Sequence, residues 1–392
     1  MITHGSVLRA VTDYVLIALK GKGQVIIADA PMYTADFERI VRLTGTDSVV
    51  EFYRQQGYPI SLIDLRVEFA ECKDHLVVER IPLVGDPKGY CVIDLGEHSE
   101  FIPVSHLSRR YRGSDYDSEE TIQHHNEAAN EYYISRTVLE ADVVINVPKL
   151  KTHMKAGVTL NLKNMIGING DKNWIPHFRL GSVSRGGDEF PGNNLVRELE
   201  SLTKDRFKDS LFGAGSIPMF FARHLRKVQK ALVERTGFAA IRNGSWYGND
   251  TLWRSVLDLN KILFYADKEG VLGQKRQRRY FSVVDGIIGG EGDGPVLQTP
   301  KPCGVVVAGQ DPIAVDLCAI RLMGFDWTKI PKVARALQLD DYKLSNCAAS
   351  DVELKSDVSR WCELLADGSD PFLEFVPPRG WKGHIEINSR EL

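Results

Sequence analysis

The sequence has no run approaching the roughly 20 apolar residues that a helix needs to cross a bilayer, so no membrane span is expected. Its cysteines, at positions 72, 91, 303, 318, 347 and 362, include no Cys-x-x-Cys pair. Thiolate zinc knuckles and cubane clusters gather their ligands through such short spacings, so no iron–sulfur cluster is expected. Neither charge sign dominates: Lys and Arg total 49 against 52 Asp and Glu, a net charge of -3. That balance excludes coating of nucleic acid by bulk charge, and no nucleic-acid partner is expected. The chain also lacks a Gly-x-Gly-x-x-Gly turn opening a helix, a Gly-Lys-[Ser/Thr] phosphate loop, a Gly-x-Ser-x-Gly elbow and a His-Glu-x-x-His pair. Internal repeats and low-complexity runs are missing as well.

What is there is ordinary globular material. The 392 residues are 43% hydrophobic and 26% charged, enough for one large α/β domain or two smaller ones without disulfide support. Scattered single cysteines in a chain of this length read as reduced and buried, which implies a soluble, cytoplasmic protein. The first apolar stretch, VLRAVTDYVLIALKG, carries Arg9 and Asp13 and reads as an amphipathic helix rather than a signal peptide.

The spacing predicts a helix over 5–20, a strand over 24–29, helices near 35–43 and 47–56, and a strand over 60–65. That alternation implies crossover connections and a parallel sheet. Further strands are expected at 77–81, 91–96 and 142–147, with a helix over 121–139 before the last of them. Residues 168–212 are rich in Gly, Asn and Asp and suggest a long ordered loop or lid; helices follow near 217–235 and 251–267. The α/β rhythm returns with strands at 280–287 and 304–309, a helix opened by Asp311 and Pro312, and a strand near 351–355. The expected fold is therefore α/β, a mostly parallel sheet with flanking helices plus a helical and loop insertion. It divides into an α/β domain at 1–167, an insertion at 168–279, and an α/β return with a C-terminal tail at 280–392.

Residues 144–177, VINVPKLKTHMKAGVTLNLKNMIGINGDKNWIPH, hold the densest chemistry. Lys149, Lys151, Lys155 and Lys163 follow an apolar strand, and ligands of open α/β sheets bind at strand carboxyl ends. With His153, these ammonium groups favour a carboxylate or phosphate. Thr159 and Asn161 add neutral hydrogen-bonding groups, while Asn164, Gly167, Asn169 and Gly170 suit tight turns beside a ligand. The bland alternative is a solvated loop whose lysines point into water. A second segment, DGIIGGEGDGP at 285–295, could bring the peptide groups of Gly292 and Gly294 to an anion, or Asp285, Glu291 and Asp293 to a divalent cation. Its bland reading is a tight connection that uses glycine for φ > 0. Asp316 falls on the apolar face of the helix after Asp311 and needs a partner there; a structural role is expected. Of the remaining candidates, His4 suits a helix cap and Asp29 closes a strand, while His98, His106 and the His124–His125 pair offer no metal spacing.

The strings ADVVINVPKLKTHMKAGVTLNLKNMIGI, VTDYVLIAL, VIIADAP, VVDGIIGGEGDGP and AGQDPIAVDLCAIRLMGF together resemble the domain of unknown function family 362, over most of residues 3–165 and 280–325. The resemblance implies no particular reaction. Members of that family usually begin with a strand carrying Lys-Pro-Asn ahead of the Thr-His segment, whereas Thr3-His4 here follow Met1-Ile2; that strand is absent or was lost to a late start codon. Many also carry a ferredoxin-like cysteine module, for which the spacing here gives no sign. The stretch from His153 to Lys163 is similar, more distantly, to a segment of the nickel-pincer lactate racemase family. That likeness implies a pincer nucleotide tethered on Lys163 and a nickel ligand at His177.

The leading expectation is an enzyme, isomerase-, racemase- or transferase-like, acting on a small anionic metabolite such as a hydroxy acid or an acidic or phosphorylated sugar. Lys149, Lys151 and Lys163 would neutralise the anion, His153 would move a proton, Lys163 would share the catalytic work, and Thr159, Asn161 and Asn164 would orient the substrate. Asp285, Glu291, Asp293 and His177 are the metal candidates. The alternatives are a non-catalytic metal or nucleotide-cofactor binding protein, or a scaffold for partner enzymes; homo-oligomerisation stays open.

Overall fold

Helix α1 (Gly5–Leu19) begins where the His4 imidazole accepts the Ser6 N–H at 3.1 Å, and it stops at Lys20, whose φ of 51° turns the chain away. The computed structural model describes residues 1–73, 76–113, 117–193, 197–199, 201–202, 241–363, 365 and 373–387. Strand β1 (Val25–Asp29), helices α2 (Phe37–Thr44) and α3 (Thr46–Gln55), and strand β2 (Ile60–Asp64) follow in the expected order. The two strands pair in parallel, Val25 against Ile60 and Asp29 against Asp64, as a helical crossover allows. Arg66, 1% exposed, then locks this unit. Its guanidinium grips the Asp64 carboxylate at 2.6 and 3.0 Å and donates to the carbonyls of Met32, Tyr33 and Ala35.

Strands β3 (Glu68–Lys73) and β4 (Leu76–Pro82) form an antiparallel pair, and β5 (Tyr90–Asp94) comes next. A two-residue strand β6 (Tyr111–Arg112) precedes α4 (Ser118–His124). The helix expected over 121–139 is in fact broken. The Asn126 side chain donates to the Ile122 and Gln123 carbonyls and accepts from Ala128 N–H at 2.8 Å, closing α4 with an Asx-type turn. The following EYYIS becomes strand β7 (Glu131–Ser135), antiparallel to β5, and only a single turn, α5 (Arg136–Leu139), is helical after it.

Strands β8 (Val143–Asn146) and β9 (Lys149–His153) run along one edge of the long β12 (Arg279–Asp293), both parallel to it. Pro148 lies between them and cannot donate to a ladder; its carbonyl accepts from Asp285 N–H instead. Strand β10 (Gly157–Val158) folds back on β9, β11 (Phe178–Arg179) pairs with β6, and β13 (Leu297–Gly309) returns antiparallel along β12. Among the strands of the described residues, β1 with β2 and β12 with β8 and β9 pair in parallel while the other five pairings are antiparallel, so the fold is mixed α/β with several small sheets. The short link between Asp293 and Leu297 dictates a hairpin.

The glycine segment expected as a loop at 285–295 is for the most part a strand of that hairpin. Its glycines serve close approach: a Cβ on Gly286 would meet Val305 at 2.7 Å and Leu150 at 2.9 Å, and one on Gly294 would meet the Thr152 carbonyl at 2.3 Å.

Short helix α6 (Leu160–Asn164) follows β10, and α7 (Leu252–Tyr265), α8 (Pro312–Leu322) and α9 (Pro331–Ala336) complete the helices used below. The Asp311 side chain accepts from the N–H groups of Ile313 and Ala314 at 2.9 and 3.0 Å, with Pro312 in the first turn, as expected. Every residue of α7 is buried, so this helix lies at the centre of the core rather than on an appended insertion. The main core draws on residues from Cys91 to Ile385, across all three expected stretches. The helix expected at 217–235 lies outside the described residues. The strand expected near 351–355 is absent: a 3-10 turn, Ala349–Asp351, is followed by Glu353 and Lys355, both exposed. Among the described residues no helix is long and apolar enough to cross a membrane.

Arg66→Ala should remove about 3–5 kcal/mol of stability, because it strands Asp64 and three backbone carbonyls at a buried point. Urea denaturation checks this; a loss below about 1 kcal/mol would mean that the Arg66 cluster is not what locks the first βαβ unit.

Candidate functional site

The site is assembled around α6. Leu160, its first residue, has φ of 59°, a left-handed conformation that a leucine adopts only when its surroundings enforce it. The enforcing group is Asp316 on α8. Its carboxylate takes the Asn161 N–H at 2.8 Å, the Asn161 side-chain amide at 2.9 Å and the Leu162 N–H at 3.3 Å, and Lys332 of α9 answers its charge at 3.4 Å. Side-chain exposure is 0% for Asp316 and 1% for Lys332. Burial pushes the Asp316 carboxyl up and the Lys332 amine down, the common cost of enclosing both. The role expected for Asp316 is thus structural, toward α6.

A second enclosed pair ties β9 to β12. Lys149 Nζ lies 2.7 Å from Asp285, whose carboxylate also accepts the N–H groups of His4 at 3.0 Å and Ile287 at 3.2 Å. Lys149, expected to neutralise an anion, and Asp285, expected to hold a cation, neutralise each other. Other expected site residues are similarly engaged. Asn161 serves Asp316 and accepts from Ser282, and the Thr159 hydroxyl donates to the Lys149 and Lys151 carbonyls at 3.2 Å. Gly292 donates its N–H to Val376 and Gly294 donates to Gly292, so neither peptide group is aimed at a ligand.

Glu291 pairs with Lys301 at 3.0 Å and accepts Val376 N–H, while Asp293 pairs with Arg379 at 2.5 Å. These acids fasten the C-terminal segment to the hairpin and do not converge with His177. Among the described residues no cluster of three His, Cys, Asp or Glu is placed to hold a metal ion.

The rest of the basic segment does converge. Lys151 donates to the Met1 carbonyl at 2.7 Å, and burial lowers its amine to about 8. Lys172 donates to the Ile166 and Asn169 carbonyls at 2.8 and 2.7 Å; burial takes it down to about 7 against the pull of Asp29. Lys163 is lowered to about 7, first by burial and then by Lys151, Lys332, Lys155 and Lys172; no carboxylate ranks among these influences. His153 and His177 are held well below the usual imidazole value by burial and by the same lysines, so both are neutral at pH 7. The His153 Nδ1 accepts Lys155 N–H at 3.1 Å, so the neutral ring carries its proton on Nε2, and the His177 Nδ1 faces the Ile175 carbonyl at 2.7 Å. Lys155 is buried with its ammonium 5.0 Å above the Phe178 ring.

Asp29, the last residue of β1, closes the ring. It is exposed to solvent; the surrounding protein raises its carboxyl while Lys172 and Lys151 draw it down. A Cβ on Gly167 would lie 2.7 Å from the Asp29 carboxylate, so that glycine lets the acid rest against the backbone after α6. Asn164 also keeps solvent contact while it donates to Asn146 at 2.6 Å.

Sequence reasoning placed Asp29 at a strand end without joining it to the lysines, and it missed Lys172. Burial of Lys172 is set by tertiary structure: the Tyr33 hydroxyl, bonded to Asp171, receives the Lys172 N–H at 2.7 Å. A surface depression bounded by Asp47, Val50, Phe52 and Leu62 has none of these groups.

Fold and site together define a mixed α/β protein with a cluster of buried lysines and histidines around α6. The model of the family described as "Domain of unknown function (DUF362)" matches residues 104–321, more than half of the chain, and the chain belongs to that family. The match takes in Lys151, His153, Lys155, Lys163, Lys172, His177 and Asp316, whereas Asp29 and Lys332 lie outside it. No curated protein and no solved structure matches the chain.

The lowered amines give a sign for pH dependence. Lys163 and Lys172 release their protons near 7 when folded, against an ordinary value of 10.5, so the unfolded chain binds more protons between about 7 and 10.5. Their effect is that stability rises with pH through that window and is lower at its acid end. Thermal midpoints from about pH 6.5 to 9.5 should show the rise, and Lys163→Met should flatten it. Parallel curves for the two proteins would contradict the placement of Lys163.

Proposed function

We propose that the chain is an enzyme that takes a small anionic metabolite, a hydroxy acid or an acidic or phosphorylated sugar, into the crevice between β1, β9 and α6. The observation that supports this reading is the set of enclosed cations around Lys163, against which Asp29 is the one carboxylate shared by Lys151 and Lys172. Enclosed positive charge raises the free energy of the empty site and is relieved by an anion. Lys151, Lys155 and Lys172 hold the acidic group. His153, neutral at pH 7 and accepting the Lys155 N–H on Nδ1, turns its Nε2–H toward the substrate as a hydrogen-bond donor, and Lys163, near its midpoint at neutral pH, gives or takes the proton. Asn164 orients the substrate from the crevice wall. No step is routed through a metal, since the acids at Asp285, Glu291 and Asp293 are held by cations of the protein itself.

A second reading has one observation in its favour. Lys163 acts electrostatically on His177, so the two positions that the nickel-pincer likeness singles out share the crevice. A nucleotide held on Lys163 would appear as added mass on the protein as purified, mapped to the peptide containing that lysine.

The lead reading is checked by thermal shift with hydroxy acids, sugar acids and sugar phosphates. A true ligand at about 100-fold excess over its Kd adds about 2.7 kcal/mol of apparent stability. Binding should be tighter at pH 6.5 than at 8.5, because protonated lysines attract the anion, and it should vanish in Lys163→Met and Lys151→Met. The unliganded variants should melt no lower than the wild type, since each loses an enclosed charge. Equal stabilisation of all three proteins, or none by any anion, would remove the reading.

A further inference from the structure

The lysines around α6 differ in what their ammonium groups hold. Lys149 is paired with Asp285 and Lys332 with Asp316. Lys151 donates to the Met1 carbonyl, Lys172 to those of Ile166 and Asn169, and Lys155 sits over Phe178. Lys163 has neither a hydrogen bond nor an ion pair with a described group, and the residue is only half-buried. An amine without a partner, ringed by ammonium groups that disfavour its own protonation, is the arrangement in which a lysine attacks a carbonyl carbon.

We propose that Lys163 captures a small 2-oxo acid as an imine, with the substrate carboxylate held by the surrounding lysines. This rests on the anion-site reading above and names the substrate class for it. The neutral Lys163 nitrogen adds its lone pair to the keto carbon, and the C=O π electrons move to oxygen. The proton lost by nitrogen passes to that oxygen, toward which the His153 Nε2–H donates a hydrogen bond, and this gives a carbinolamine. A second proton, from the ammonium of Lys151 or Lys172, expels the hydroxyl as water while the C=N bond forms, and the iminium returns that proton when it relaxes to the imine. The net change is amine plus ketone to imine plus water, with no oxidant or reductant involved. The iminium then draws electrons when a proton leaves the adjacent carbon, which gives an enamine.

Charge explains why the substrate carries an acid. An iminium formed from a neutral ketone would add a cation to a crevice already crowded by Lys151, Lys155 and Lys172. A 2-oxo acid brings its own carboxylate, so its iminium adduct adds no net charge. The near-neutral Lys163 amine and the neutral imidazoles of His153 and His177 suit this chemistry at pH 7. The groups that face Lys163 are Lys151, His153 and Lys155 from β9 and the turn after it, Lys172 and His177 from the segment after α6, and Lys332 from α9.

The test is reductive trapping. Full-length protein is incubated near pH 7 with pyruvate or 2-oxobutyrate and sodium cyanoborohydride, then read by intact mass and peptide mapping. The expected result is one adduct, on Lys163, lost in Lys163→Arg, and much weaker with the neutral ketone hydroxyacetone at equal concentration. Lys163→Arg removes the nucleophilic amine while leaving a cation of similar length, and its thermal midpoint confirms that it is folded. Label spread over several lysines, or label retained in Lys163→Arg, overturns the proposal. If the 2-oxo acids raise the melting temperature without forming an adduct, covalent capture falls and the anion site stands. If they neither stabilise nor label the protein, capture falls, and the anion-site reading is then judged by the hydroxy-acid and sugar-phosphate series.

Discussion

The Asp316 carboxylate, without solvent contact, holds two peptide N–H groups and one side-chain amide at the start of α6 while Lys332 answers its charge. Enclosing such a pair gains little net stability, because desolvation opposes the attraction. What it supplies is direction. A five-residue helix cannot fix its own orientation, yet α6 carries Lys163 and opens through a left-handed leucine. The Lys149–Asp285 pair does the same for β9, joining it to β12 and, through the His4 N–H, to the start of α1. Two acids thus consume two lysines, and the other buried lysines of the cluster lie outside these two ion pairs.

Those leftover cations set local chemistry against stability. Several amines held near neutrality make the empty protein less stable than one with apolar side chains in their places, and functional sites commonly accept such a cost. The crevice therefore depends on rigid surroundings. Arg66 fixes the β1–β2 unit that presents Asp29, and Tyr33 secures the turn that carries Lys172.

How far this was legible in the sequence follows from how local each feature is. Helix α1, strands β1 and β2, and the Asp311–Pro312 helix start depend on near neighbours, and their periodicity and capping residues marked them. The 121–139 stretch misled because its apolar spacing suits a helix, while Asn126 and pairing of EYYIS with β5 decide otherwise. Glycines at 286–294 suggested a loop because glycine permits φ > 0, yet only Gly292 uses that freedom; the others admit neighbours that a side chain would block. The clustering of lysines was visible, but their division into paired and unpaired was not. Lys149 meets an acid 136 positions away, and Asp316 meets α6 across 155. The role of Lys172 was hidden for the same reason, since Tyr33 that orders it is 139 residues distant.

Helix α7 has no face toward water, and its polar side chains reach in several directions. Asp258 accepts from Ser99, Glu100 and Tyr132; Ser255 donates to the Pro176 carbonyl; Asn260 donates to Leu162 at the end of the site helix; and Tyr265 reaches Lys343. A segment enclosed in this way has no shallow route to opening, because exposing its amides means parting stretches that are far apart in the chain. Its hydrogen exchange would therefore report the opening of the whole core. The stretches that carry Ser99, Tyr132, Leu162, Pro176 and Lys343 are bound into one cooperative block through α7, and a disturbance at α6 is felt along that axle rather than absorbed by a single loop.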